Sequence, residues 1–141
     1  MKRTANAQWN GDLKGGKGNI STASGVLTQT PYSFGTRFEE GTGTNPEELL
    51  AAAHAACFTM ALSAQLGQAN LSPESLHTVC TITFEKQADG FAITESHLEL
   101  TAKVPGASDE AFETAVQNAK SGCPVSKLYK TNITLHYTVE K

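Results

Sequence analysis

Three cysteines, Cys57, Cys80 and Cys123, are the side chains of this 141-residue sequence best suited to covalent chemistry, and their contexts differ. Cys57 lies within "NPEELLAAAHAACFTMAL", a near-continuous apolar helix, several turns from its start. No dipole end reaches it there. Burial alone would raise its pKa and leave it inert, so a reactive Cys57 needs a cation from elsewhere in the fold. Cys123 follows Gly122 and precedes Pro124, at or just before a helix N-terminus, where free backbone N–H groups favour a thiolate. Cys80 alternates onto the apolar face of a strand, between Thr78 and Ile82, and reads as core packing. His54, one turn before Cys57, has the i, i+3 spacing to meet its thiol, though a histidine among alanines also fits simple packing. His77, His97 and His136 fall in strand patterns without the paired spacing of zinc sites, so no metal is expected.

The elements that must position these groups are well marked. Asn45 is a good N-cap, Pro46 suits the first helical position, and Glu47 and Glu48 complement the positive end of the dipole of a helix running to about Gly67. Upstream, "TANAQWN" and "GNISTAS" flank "GDLKGGKG", whose clustered glycines predict a hairpin. Gly11, Gly16 and Lys17 there brush against a phosphate-loop spacing. Gly18 stands where Ser or Thr would bind magnesium, and no helical pattern follows, which argues against that role. "PYSFGTRFEEGTGT" predicts a short strand carrying Arg37 and then a loop. "SLHTVCTITFEK", with Cys80, Ile82 and Phe84 on one face, and "FAITESHLELTAKV", with Leu98, Leu100 and Ala102 on one face, predict strands of a half-solvated antiparallel sheet. "SDEAFETAVQNAKSG" is an amphipathic helix capped by Ser108, "CPVSKLYK" starts a further short helix, and "NITLHYTVE" closes as a strand. The expectation is one α+β domain over residues 1–141.

Composition narrows the functional classes. The chain is 39% hydrophobic and 18% charged with a net charge of -3, which suggests neither disorder nor a field for polyanions, so no nucleic-acid partner is expected. The start, "MKRTANAQWNGD", has no apolar run behind its basic residues and lacks a secretory signal pattern, which points to the cytoplasm. Leu49 to Leu66 approaches membrane-span length, but His54, Thr59, Ser63 and Gln65 interrupt it, and no membrane partner is expected. In a reducing compartment an odd number of cysteines favours redox chemistry over stapling. Leu49, Leu50, Ala53, Cys57, Met60, Ala61 and Ala64 put apolar side chains on overlapping helix faces that one sheet layer would not cover, so a homodimer is expected.

"GTNPEELLAAAHAACFTMAL", followed about 65 residues later by "SGCPVSKLY", resembles the OsmC branch of the OsmC/Ohr family of organic hydroperoxide peroxidases. "SGVLTQTPYSFGTRFE" and "WNGDLKGGKG" extend the likeness over essentially the whole chain. The resemblance implies a thiol peroxidase that needs no metal, haem or other cofactor. It implies a peroxidatic Cys57, a resolving Cys123 and a dithiol reductant, for which the family suggests the lipoyl type, and it maps the active-site arginine and glutamate to Arg37 and Glu47. The fold it implies is an intertwined homodimer, with antiparallel sheets wrapped around two long central helices. The rival reading is a non-catalytic redox sensor or small-molecule-binding dimer using the same cysteine pair.

If Arg37 has that role, magnitudes say how it acts. A thiol with pKa near 8.5 is about 3% ionised at pH 7, and lowering it to roughly 5.5 raises the thiolate about 30-fold. If peroxide attack follows thiol exchange, the same drop costs roughly 20-fold in nucleophilicity. The two nearly cancel, so Arg37 is expected to act chiefly on the transition state. Ten residues of helix, about 15 Å, separate Glu47 from Cys57, which strains a short bridge through Arg37 within one subunit and suggests a site shared between antiparallel helices of a dimer.

Overall fold

A computed structural model describes residues Met1–Lys141, and the chain divides into two compact units, Met1–Leu49 and Leu50–Lys141. In the first, strands β1 (Ala5–Asn10), β2 (Lys17–Thr22) and β3 (Thr30–Tyr32) form an antiparallel sheet in that order. The glycine-rich stretch is the β1–β2 hairpin, closed by Asp12, whose Oδ1 accepts from the N–H groups of Lys14 and Gly15. A strand follows it, as expected of a turn and not of a phosphate loop. Gly18 lies between Trp9 and Tyr32 on the neighbouring strands, and a Cβ there would stand 2.4 Å from the Tyr32 ring. Its bare backbone lets the two rings meet above it, 5.4 Å between centroids.

Arg37 does not lie on a strand. It sits in the last turn of a short helix, α1 (Phe34–Phe38). The aromatic, β-prone "PYSF" is overridden by a reciprocal cap: Ser33 Oγ accepts from the Thr36 N–H, and Thr36 Oγ1 accepts from the Ser33 N–H at 2.8 Å. The long helix α2 (Pro46–Gln68) then begins as the sequence predicts, with Asn45 Oδ1 accepting from the Glu48 N–H at 2.7 Å.

In the second unit the rest of α2 packs with β4 (Ser75–Gln87), β5 (Gly90–Lys103), α3 (Asp109–Gly122), α4 (Pro124–Leu128) and β6 (Asn132–Glu140). β4 and β5 form the expected antiparallel hairpin. β6, however, runs parallel to β5, so this sheet is mixed and not wholly antiparallel. The physical reason is the crossover: α3 and α4 carry the chain back to the end at which β5 began. The register shifts between Thr83 and Phe84 because Thr94 of β5 is left over as a bulge, while Cys80, Ile82 and Phe84 keep their alternation along β4.

The core is one contiguous cluster. Phe58, Leu62 and Leu66 of α2 meet Leu98, Leu100 and Ala102 of β5 and Phe112, Ala115, Val116 and Ala119 of α3. The buried stripe of α2 recurs every four residues, at His54, Phe58, Leu62 and Leu66, and its other apolar face, with Ala52, Ala53, Ala56, Met60 and Ala64, is exposed. The helix is long and apolar enough to cross a membrane by length and composition. One side of it is nonetheless built into a globular core.

Candidate active site

The residues singled out in the sequence gather in two places. In the first unit Arg37 grips Glu47 with two nitrogens: Nη2 donates to Oε1 at 2.8 Å, and Nε donates to Oε1 at 3.0 Å and Oε2 at 3.3 Å. The pair forms within one chain. The Glu47 side chain is 11% exposed and that of Arg37 39%, so the carboxylate is enclosed while the guanidinium reaches outward. The Phe38 ring lies 5.5 Å from the guanidinium carbon, and Trp9, Tyr32 and Phe34 line an apolar recess beside it. The junction is fixed by two further bonds: Asn45 Nδ2 donates to the Thr36 carbonyl, and Thr44 Oγ1 donates to Glu48.

In the second unit the thiols of Cys57 and Cys123 lie close enough for one to bear on the other's ionisation, although about 65 residues separate them in sequence. Both are free thiols. Cys57 is half-buried and Cys123 fully buried. Cys123 is itself the N-cap of α4, its sulfur accepting from the Ser126 N–H at 3.3 Å. The Cys57 thiol is raised above its ordinary pKa, first by burial, with the nearby Cys123 adding to the rise and the Val125 backbone opposing it. Within this unit, then, the pressure on Cys57 is toward the neutral thiol, as its mid-helix position implies.

His54 does not turn to Cys57. It is fully buried, and its ring nitrogens go to two serines: Nδ1 to Ser96 Oγ at 2.6 Å and Nε2 to Ser126 Oγ at 2.8 Å. Burial lowers its pKa, which favours the neutral imidazole. Cys80 packs as expected, hydrogen-bonded to Ser96 at 3.3 Å, with its thiol pushed up by burial. Tyr129 closes the cluster, its hydroxyl donating to the Leu50 carbonyl and its ring meeting His54 edge-on. Its phenol is pushed up by burial and then by the charges of Cys80, Cys123 and Cys57, so all three thiols lie near it. Sequence reasoning missed Ser96, Ser126 and Tyr129. Only Ser126 carried a local signal, standing three residues after a capping cysteine.

An enclosed carboxylate holding a guanidinium, and two free thiols near one another, define a dithiol redox protein on an α+β fold. The chain belongs to the OsmC-like protein family, whose pattern matches residues 39–138. It is 51% identical to the Escherichia coli (strain K12) protein named peroxiredoxin OsmC, over 99% of this chain and 98% of that one. It is 32% identical to an organic hydroperoxide resistance protein of Xanthomonas axonopodis pv. citri, over 96% and 93% of the two chains. Among solved structures, it is similar to the organic hydroperoxide resistance protein OsmC of Legionella pneumophila, with a TM-score of 0.68, 25% identity and coverage of 98% and 97%. It is also similar to OhrB of Bacillus subtilis, with a TM-score of 0.67, 25% identity and coverage of 97% and 98%. The higher identity on the OsmC side agrees with the branch read from the sequence motifs.

Proposed function

We propose that this protein is a cysteine-based peroxidase that reduces organic hydroperoxides and hydrogen peroxide at the expense of a dithiol. The carrying observation is the proximity of the free Cys57 and Cys123 thiols, and the names of the relatives support it. The Cys57 thiolate attacks the terminal peroxide oxygen; a sulfur–oxygen bond forms as the oxygen–oxygen bond breaks, and the alkoxide leaves as an alcohol after taking a proton. Cys123 then displaces water from the sulfenic acid, giving a disulfide that a dithiol of lipoyl type reduces. Arg37, aimed by Glu47, stabilises charge on the departing oxygen.

The site as proposed is shared between two copies. The exposed face of α2, rich in alanine, supports a helix-to-helix homodimer in which Arg37 and Glu47 of one copy serve the thiols of the other. The decisive experiment is steady-state hydroperoxide consumption with dihydrolipoamide. Wild type is expected to consume many equivalents per subunit, Cys57→Ser none above background, and Cys123→Ser one equivalent with accumulation of a sulfenic acid. A single equivalent in wild type, ending in a stable disulfide, would instead identify a sensor.

A further inference from the structure

Five side chains of the second unit form one unbroken line of hydrogen bonds that peroxide attack at Cys57 does not use. It runs from Cys80 Sγ to Ser96 Oγ at 3.3 Å, to His54 Nδ1 at 2.6 Å, from His54 Nε2 to Ser126 Oγ at 2.8 Å, and to Cys123 Sγ at 3.2 Å. His54, Ser96 and Cys123 are fully buried and Ser126 nearly so. No buried side-chain nitrogen or oxygen lacks a partner, so water is not required to complete the line. A histidine placed for packing alone needs neither a hydroxyl at each nitrogen nor a thiol beyond each hydroxyl.

We propose that His54, acting through the Ser126 hydroxyl, is the positioning residue that takes the Cys123 proton as Cys123 attacks the Cys57 sulfenic acid, with Ser96 holding the imidazole in the receptive tautomer. This rests on the reading of Cys123 as the resolving thiol. A neutral imidazole that donates from Nδ1 to Ser96 presents the Nε2 lone pair to the Ser126 O–H, whose oxygen accepts from the Cys123 S–H. Ser96 can then donate onward to the Cys80 sulfur, so every proton has a place.

In the step itself, the Cys123 proton passes to Ser126 Oγ while the Ser126 proton passes to His54 Nε2. The freed electron pair of Cys123 forms the sulfur–sulfur bond, and the sulfur–oxygen bond of Cys57 breaks with its electrons leaving on hydroxide. The imidazolium returns the proton through Ser126, and hydroxide departs as water. The Cys123 thiol is oxidised, the sulfenic sulfur is reduced, and no further reagent is consumed. Burial disfavours the imidazolium, which promotes that prompt return. The titratable groups that face His54 are Tyr129, whose ring centroid is 5.1 Å away, Cys80 of β4 through Ser96, Cys123 through Ser126, and Cys57 one turn along α2.

The test isolates condensation. The protein is oxidised with one equivalent of tert-butyl hydroperoxide, and conversion of sulfenic acid to disulfide is followed by rapid alkylation and mass spectrometry across the range in which imidazole titrates. Ser126→Ala is expected to slow condensation by about 100-fold and to make it rise with pH, because hydroxide must then remove the proton. Ser126→Thr, which keeps the hydroxyl, is expected to restore both rate and profile, whereas a merely structural serine would shift the melting point and leave the pH profile alone. Ser126→Ala condensing at the wild-type rate with the wild-type profile would overturn the relay. Undiminished loss of sulfenic acid in Cys123→Ser would instead remove the resolving role of Cys123, and the relay with it.

Discussion

Arg37 and Glu47 are joined by a fork that lysine cannot copy, since a single ammonium cannot bind a carboxylate through two rigid nitrogens. Arg37→Lys is therefore expected to lower kcat/KM for hydroperoxide by about 100-fold, the scale for losing one aimed electrostatic group. The melting point should hardly move, because a pair with one exposed partner contributes about 0–1 kcal/mol. His54 gives a prediction of opposite kind. Burial depresses its folded pKa below the unfolded value of about 6.5, so the stability it contributes is fully present above that pH and is lost as the pH falls toward the folded pKa. Thermal melts at descending pH should show this acid-side loss in wild type and a shallower one in His54→Gln, the other three histidines being common to both. Of the two cysteines of the proposed site, Cys123 was singled out by its local context before a proline, whereas Cys57, deep in an alanine-rich helix, was singled out by the family resemblance. The serines were not, because Ser96 reaches His54 across 42 residues and alternation in a strand says only which way a side chain points.

Elements were readable in proportion to how local their causes are. α2 and α3 announced themselves through Asn45 and Ser108, each of which caps by its own side chain. α1 was misread as a strand because its cap relies on Thr36, which reads as β-branched before it reads as the second half of a reciprocal pair. Ser33→Ala should cost about 1 kcal/mol by denaturant titration, typical of a lost N-cap. It should also lower turnover, since α1 is the platform of Arg37. The parallel entry of β6 was equally hidden. Strand sequences carry no direction, and only the two-helix crossover fixes it.

At the scale of the molecule, the two faces of α2 make opposite demands. The stripe of His54, Phe58, Leu62 and Leu66 is satisfied within the chain, whereas Met60 stands 76% exposed among alanines. If the proposed dimer is correct, Met60→Glu will leave helical content intact by circular dichroism, yet give a monomer by size exclusion with light scattering, and lose peroxide turnover along with the proposed shared site. A variant that remained fully active as a monomer would refute the shared site. The meeting of Cys57 with Cys123 also bears on how hard the protein is to melt. Joining them would close a loop of about 65 residues, and confining the unfolded chain in that way stabilises by about 4 kcal/mol. Every turnover would then alternate between a tethered, heat-resistant state and a looser one, and a simple melting curve would report how much of a population is waiting for its reductant.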